Sequence, residues 1–141
     1  MVVIEGRYVG DLRCEAVHGP SGSRLATDAP KDNEGRGEAF SPTDLVATAL
    51  GTCIATTIAI VARRRGFDVT DMAWKVEKHM VTDPVRRIGR LPVEIHLPAS
   101  LTAEQRTIVE RAAHTCPVSK TLHTDVDAGI TFVYDRAAHG R

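Results

Sequence analysis

From Leu45 to Ala62 the chain carries no charged side chain, and strong helix signals bracket that run. Ser41-Pro42-Thr43-Asp44 reads as a helix start: Ser41 caps, Pro42 takes the first helical position, and Asp44 stands three residues after the cap. Arg63-Arg64-Arg65 places cations on the negative end, and Gly66 supplies a left-handed closing residue. The bracket predicts a helix of about six turns. The run falls short of the ~20 apolar residues of a membrane span. It also contains Thr48, Gly51, Thr52, Thr56 and Thr57, so a buried helix is expected. A helix apolar on every side needs cover on every side. One sheet covers one side, and a second copy of the chain covering the other predicts a homodimer.

The remaining elements follow from turn residues and alternation. Val2 to Ala26 is broken by Gly10 and by Gly19-Pro20-Ser21-Gly22, which predicts two or three antiparallel strands. Asp28 to Glu38 gathers Pro30, Asn33, Gly35 and Gly37 among charges and reads as a surface loop. A strand over Val69–Val81 and a partner over Leu91–Leu97 follow the helix, with Val93, Ile95 and Leu97 on one face. Ser100 and Thr102 are candidate caps for a helix reaching His114. A short helix over Pro117–Leu122 and a strand over Val126–Tyr134 complete an α+β order, unlike an alternating parallel sheet.

The 141 residues fit a single domain, 1–141, able to hide roughly two thirds of its unfolded surface. Lys plus Arg equals Asp plus Glu at 18 each, so no net field draws in nucleic acid or an anionic membrane. Met1 to Arg13 lacks the pattern of a secretory signal, and a cytoplasmic location is expected. Three cysteines spread over such a chain do not form a secreted disulfide framework, so each is weighed separately.

Cys53, in Gly51-Thr52-Cys53, is either a buried structural thiol or a redox thiol that needs a nearby cation, since mid-helix it gains little from the dipole. Cys116 precedes Pro117, which makes it the cap residue of a short helix. The exposed amides there favour a lowered thiol pKa, and a merely capping cysteine is the alternative. Cys14 reads as a core or edge-strand residue. The histidines His79, His96, His114 and His123 show no metal-ligand spacing with these cysteines, so no metal is expected, and His114 reads as a cation at a helix C-terminus. No P-loop, dinucleotide fingerprint or serine nucleophile elbow occurs, and no cofactor is expected.

Phe40-Ser41-Pro42-Thr43-Asp44-Leu45 leading to Ala49-Leu50-Gly51-Thr52-Cys53, with Ala113-His114-Thr115-Cys116-Pro117-Val118-Ser119-Lys120 downstream, resembles the OsmC/Ohr family over nearly the whole chain. That is the osmotically induced protein C and organic hydroperoxide resistance group. The resemblance implies an intertwined α+β homodimer with two central helices and a cysteine-based peroxidase acting on organic hydroperoxides. By that likeness Cys53 is the peroxidatic thiol and Cys116 resolves it as a disulfide. A dithiol donor, often a lipoyl group, restores both. The resemblance also implies an arginine from the N-terminal strands beside Cys53, for which Arg13 is the choice and Arg7 the reserve. The acid that holds it in the hydroperoxidases is replaced here by Thr43, which leaves three outcomes: Asp44, Glu34 or Glu38 takes that task, the enzyme works slowly, or it acts on another oxidant. The alternatives are a small-ligand-binding protein or a thiol sensor on the same dimeric fold.

Overall fold

The computed structural model describes residues 1–137. The chain comprises two compact units, Met1–Val46 and Ala47–Arg141.

The first unit is an antiparallel meander of β1 (Ile4–Gly10), β2 (Arg13–His18) and β3 (Arg24–Asp28), in that spatial order. Asp11 and Leu12, with φ of 51° and 61°, join β1 to β2 through two consecutive left-handed residues. Such pairs match the twist of a hairpin. For a branched leucine the conformation is costly, so it must be held. Two bonds hold it: the Leu12 N–H donates to the Tyr8 hydroxyl at 3.3 Å and the Ala29 N–H donates to the Leu12 carbonyl at 3.2 Å. The expected surface loop contains one 3-10 turn, Lys31–Asn33, and its first residue, Asp28, belongs instead to β3 and is buried. Strand pairing fixes the backbone at Asp28, and burial there follows from its place at the strand end rather than from its polarity.

Helix α1 (Pro42–Arg65) begins and ends where its bracketing residues predict, and Gly66 closes it at φ 79°. Its buried residues Ala47, Leu50, Gly51, Ile54, Ile58 and Ala62 recur at three- and four-residue spacing, a single stripe. By length and composition its 24 residues, with a window of mean hydropathy 2.1, would also fit a membrane span. A third of that window is buried within the chain.

In the second unit β4 (Ala73–Val76), β7 (Val93–Pro98) and β8 (Ile130–Arg136) form a mixed sheet with β7 central. β4 runs antiparallel to β7, whereas β8 runs parallel to it, because α2 (Ala103–Ala113) and α3 (Pro117–Thr121) provide the crossover that a parallel neighbour needs. The strand expected over Val69–Val81 is broken. Glu77 turns its N–H to the Pro92 carbonyl at 3.1 Å, and β5 (His79–Val81) leaves to pair with β6 (Arg87–Arg90), a strand the turn-rich sequence around Gly89 had concealed.

Val93, Ile95 and Leu97 form one buried face of β7, as alternation predicts, and share the core with Leu50, Ile54 and Ile58 of α1 and with Val109, Ala112 and Ala113 of α2. Thr102 caps α2 in a reciprocal box with Gln105, at 3.1 and 2.9 Å. Gly51 serves close approach: a Cβ there would drive into the ring of Trp74 on β4. The aromatic ring therefore lies directly against the α1 backbone two residues before Cys53.

Candidate active site: a hydrogen-bonded thiol pair

Cys53 sits in the middle of α1, half-buried, and Cys116 is the cap residue of α3, fully buried. Neither is in a disulfide. The side chains of the two are hydrogen-bonded to each other, and the pairing separates their acidities. Burial opposes charge on Cys53. Against it act the hydrogen bond from the Cys116 thiol, the backbone N–H of Val118 and the Thr57 hydroxyl, and together they hold the Cys53 thiol below its ordinary value. For Cys116 the balance is reversed. Burial is the largest cause, donation to Cys53 and that residue's charge add to it, and the amides of Ser119 and Val118 offset only part, so the thiol is raised.

The elements explain this placement. Pro117 has no N–H to satisfy and starts α3, so the free amides of the first turn, Val118 and Ser119, point toward the sulfurs. The Ser119 N–H donates to Cys116 Sγ at 3.4 Å, while the Val118 N–H serves both cysteines. Thr57 lies one turn beyond Cys53, where helix spacing puts it on the same face. Its hydroxyl also donates to the Cys53 carbonyl at 2.8 Å, and a single proton can serve the carbonyl or the sulfur at any moment. The expectation that local position makes Cys116 the more acidic thiol is therefore corrected. The amides are where the Cys-Pro start puts them, but Cys116 spends its own proton on Cys53.

Arg13 and Asp44 belong to the first unit. Arg13 leads β2 and pairs with Glu38, one of the three acids open to that task, at 3.3 Å. Asp44 closes a capping box with Ser41: its Oδ2 accepts the Ser41 N–H at 2.9 Å and the Ser41 Oγ accepts the Asp44 N–H at 3.1 Å. The Thr43 hydroxyl lies 3.2 Å from the same Ser41 Oγ. Arg7, the reserve, is exposed on β1 and pairs with Glu15 at 3.0 Å. Glu34 ends the 3-10 turn with φ 69°.

Cys14 is neither core nor edge. It is exposed on β2, the central strand of its sheet, opposite Tyr8 and Thr27. His114 ends α2 with its ring edge-on to Phe132, centroids 6.4 Å apart. Among the described residues no three His, Cys, Asp or Glu side chains converge on one point. The groups that sequence reasoning missed are Val118, Ser119 and Thr57. The first two were signalled by Cys116-Pro117, the third by its four-residue spacing from Cys53.

A profile of the OsmC-like protein family matches residues 35–131. A crystal structure from Psychrobacter arcticus, of a candidate osmotic stress induced and detoxification response protein, is 40% identical. The match covers 94% of this chain and 96% of that one with a TM-score of 0.87. An organic hydroperoxide resistance protein OsmC from Legionella pneumophila shares the fold at 18% identity, with 94% and 96% of the two chains covered and a TM-score of 0.77. An uncharacterized protein of Acinetobacter baylyi is 28% identical over 108 residues, 75% of each chain. A profile spanning both cysteine segments, together with a relative this similar over nearly its full length, shows that the chain belongs to the OsmC-like protein family.

Proposed function

We propose that the protein is a thiol-dependent peroxidase that reduces organic hydroperoxides, with Cys53 as the attacking thiol and Cys116 as the resolving one. The observation that carries this reading is the hydrogen-bonded pair with opposed acidities: one sulfur is favoured as thiolate, and its neighbour holds the proton. Thiolate is the nucleophile. Cys53 Sγ attacks the outer peroxide oxygen, the O–O bond breaks, and the departing alkoxide takes a proton from the Cys116 thiol or from water to leave as alcohol. Cys53 is then a sulfenic acid. Cys116, once it has released its proton, attacks that sulfur, water leaves, and a disulfide joins the two. A dithiol, lipoyl by family likeness, returns both to thiols by exchange.

Arg13 is assigned as the cation that supports the Cys53 thiolate, and Asp44 as an acid of the same site that also caps α1. A homodimer with α1 at its centre is part of the proposal. It rests on the helix's unburied apolar face, where Ile60 is 37% exposed although it lies in an almost continuous apolar run. The whole chain acts as one OsmC-like domain in the cytoplasm, in a stress response of the kind attributed to the Psychrobacter relative.

The test is intact mass with thiol labelling after one equivalent of an organic hydroperoxide, beside hydrogen peroxide, followed by peptide mapping. Rapid formation of a Cys53–Cys116 disulfide is expected, faster with the organic peroxide. Two thiols left free would transfer the case to a ligand-binding protein of the same fold.

A further inference from the structure

Asp28 is 1% exposed, and its two carboxylate oxygens are in different situations. Oδ2 accepts the Glu38 N–H at 3.0 Å, whereas Oδ1 is buried with no hydrogen-bond partner. A buried carboxylate oxygen with nothing to bond is a standing cost, and a native structure retains it only where something else is gained. The residue directly opposite Asp28 across the β2–β3 pair is Arg13. Side chains opposite each other in an antiparallel pair leave the sheet on the same face, about 5 Å apart at Cβ.

Three further features converge on this pair. Arg13 follows immediately after the strained left-handed turn at Asp11 and Leu12. That turn is tied through the Ala29 N–H to the residue next to Asp28, so one backbone bond fixes both neighbourhoods. The Arg13 guanidinium stands on Glu38, whose side chain is 54% exposed, and ion pairs so exposed contribute little. Arg13 thus has a weak outer partner in place and, on the residue opposite it across the strand pair, a buried carboxylate oxygen with nothing bonded to it. Glu38 is itself bonded to Asp28 through its backbone N–H, so the two carboxylates are held as neighbouring docks.

We propose that Asp28 Oδ1 is the inner docking point of the Arg13 guanidinium, which makes Asp28 a positioning residue for the arginine of the peroxidase site. This rests on the reading of Arg13 as the cation of the Cys53 thiolate. In moving inward the guanidinium gives up its hydrogen bond to Glu38 and forms one to Asp28 Oδ1, with no covalent change, and the inner position is the one that orients it for catalysis.

The experiment is a double-variant cycle in the full-length protein with Asp28→Asn, Arg13→Gln and both together. Asparagine keeps an acceptor for the Glu38 N–H and places an amide where Oδ1 was, so a purely structural role for Asp28 survives the change. The rate of Cys53 oxidation by an organic hydroperoxide is expected to fall by a similar factor, on the order of tenfold, in both single variants, with no further fall in the double. A wild-type rate in Asp28→Asn beside a loss in Arg13→Gln overturns the proposal. Unchanged rates in both singles remove Arg13 from the thiolate, which is a failure of the functional reading. The docking is then decided by urea unfolding of the same cycle: non-additive effects uphold it, and additive ones overturn it. Should Asp28→Asn not fold, side-chain NMR of Arg13 in Glu38→Gln decides. A guanidinium still held in place supports the inner dock, and one released to solvent behaviour overturns it.

Discussion

Cys116 caps the start of a helix and Cys53 lies in the middle of one, yet the mid-helix thiol is the one held low and the cap thiol the one held high. Position along a helix therefore does not decide which sulfur ionises here. The positive end of α3 is present, but its Val118 amide is shared across the gap to Cys53, and the Ser119 contact to Cys116 is long at 3.4 Å. Full burial makes a charge on Cys116 expensive, and donation to Cys53 fixes its proton. In a pair of thiols the less buried acceptor becomes the thiolate, and the buried donor becomes the reserve.

Removing each sulfur in turn is the strongest way to break this contrast. Cys53→Ser is expected to abolish peroxide consumption while the chain stays folded, because serine is close in size and the hydroxyl is not a competent nucleophile without a base. Cys116→Ser is expected to consume one equivalent and stop, with Cys53 trapped as sulfenic acid or oxidised further. Mass spectrometry of the two variants checks both. A Cys53→Ser protein that still consumes peroxide, beside a Cys116→Ser protein that stays reduced, would exchange the roles.

Cys116→Ala sharpens the contrast by removing the donor and leaving the acceptor. Because the folded Cys53 thiol is held below its ordinary value, its thiolate is present at pH values where a free cysteine is still protonated, and it is lost as pH falls. Without the Cys116 donor that window moves to higher pH. One hydrogen bond to a charged group is worth about 1.5–3 kcal/mol, so the thiolate fraction near neutral pH should fall by at least about tenfold. Reaction with a small disulfide probe across pH 5 to 10 measures it. A profile that moves to lower pH would show that Cys116 burdens Cys53 rather than supports it.

Much of this arrangement is legible in the sequence. The bracketing residues Ser41, Pro42 and Gly66 place α1, and alternation puts Val93, Ile95 and Leu97 in the core, because both signals are local. The break after Val76 is not legible, since it depends on β5 leaving to pair with β6, a strand that no alternation marks. At the site, both cysteines stood out by motif, and Cys116 was identified as a cap. Their relative acidity depends on contact between residues 63 positions apart, which no local pattern contains. The same holds for Arg13, whose partner Glu38 was one of three candidate acids until the loop's path was known.

The scaffold under Cys53 offers a milder test. Gly51→Ala adds a methyl that must displace the Trp74 ring, an overpacking expected to cost about 1–3 kcal/mol in urea unfolding. Because Gly51 is two residues before Cys53 on the same rigid helix, its pH profile should shift less than in Cys116→Ala. A larger shift would mean that the pair's geometry, rather than the donor itself, holds the thiolate.

Thr57→Val is the smallest expected change. The hydroxyl is the last of the causes that lower Cys53, and it also bonds the Cys53 carbonyl at 2.8 Å, so it can give the sulfur only part of its time. Valine matches threonine in shape and removes the donor alone. The carbonyl keeps its helical N–H, and no buried partner is stranded. A neutral donor contributes about 0.5–1.5 kcal/mol when fully engaged, and sharing reduces that, so the disulfide-probe rate near neutral pH should fall by roughly twofold. The sign matters more than the size. A fall smaller than in Cys116→Ala keeps the buried thiol as the principal donor to Cys53, whereas a larger fall would transfer that role to Thr57, and the contrast between the two cysteines would then rest on burial alone.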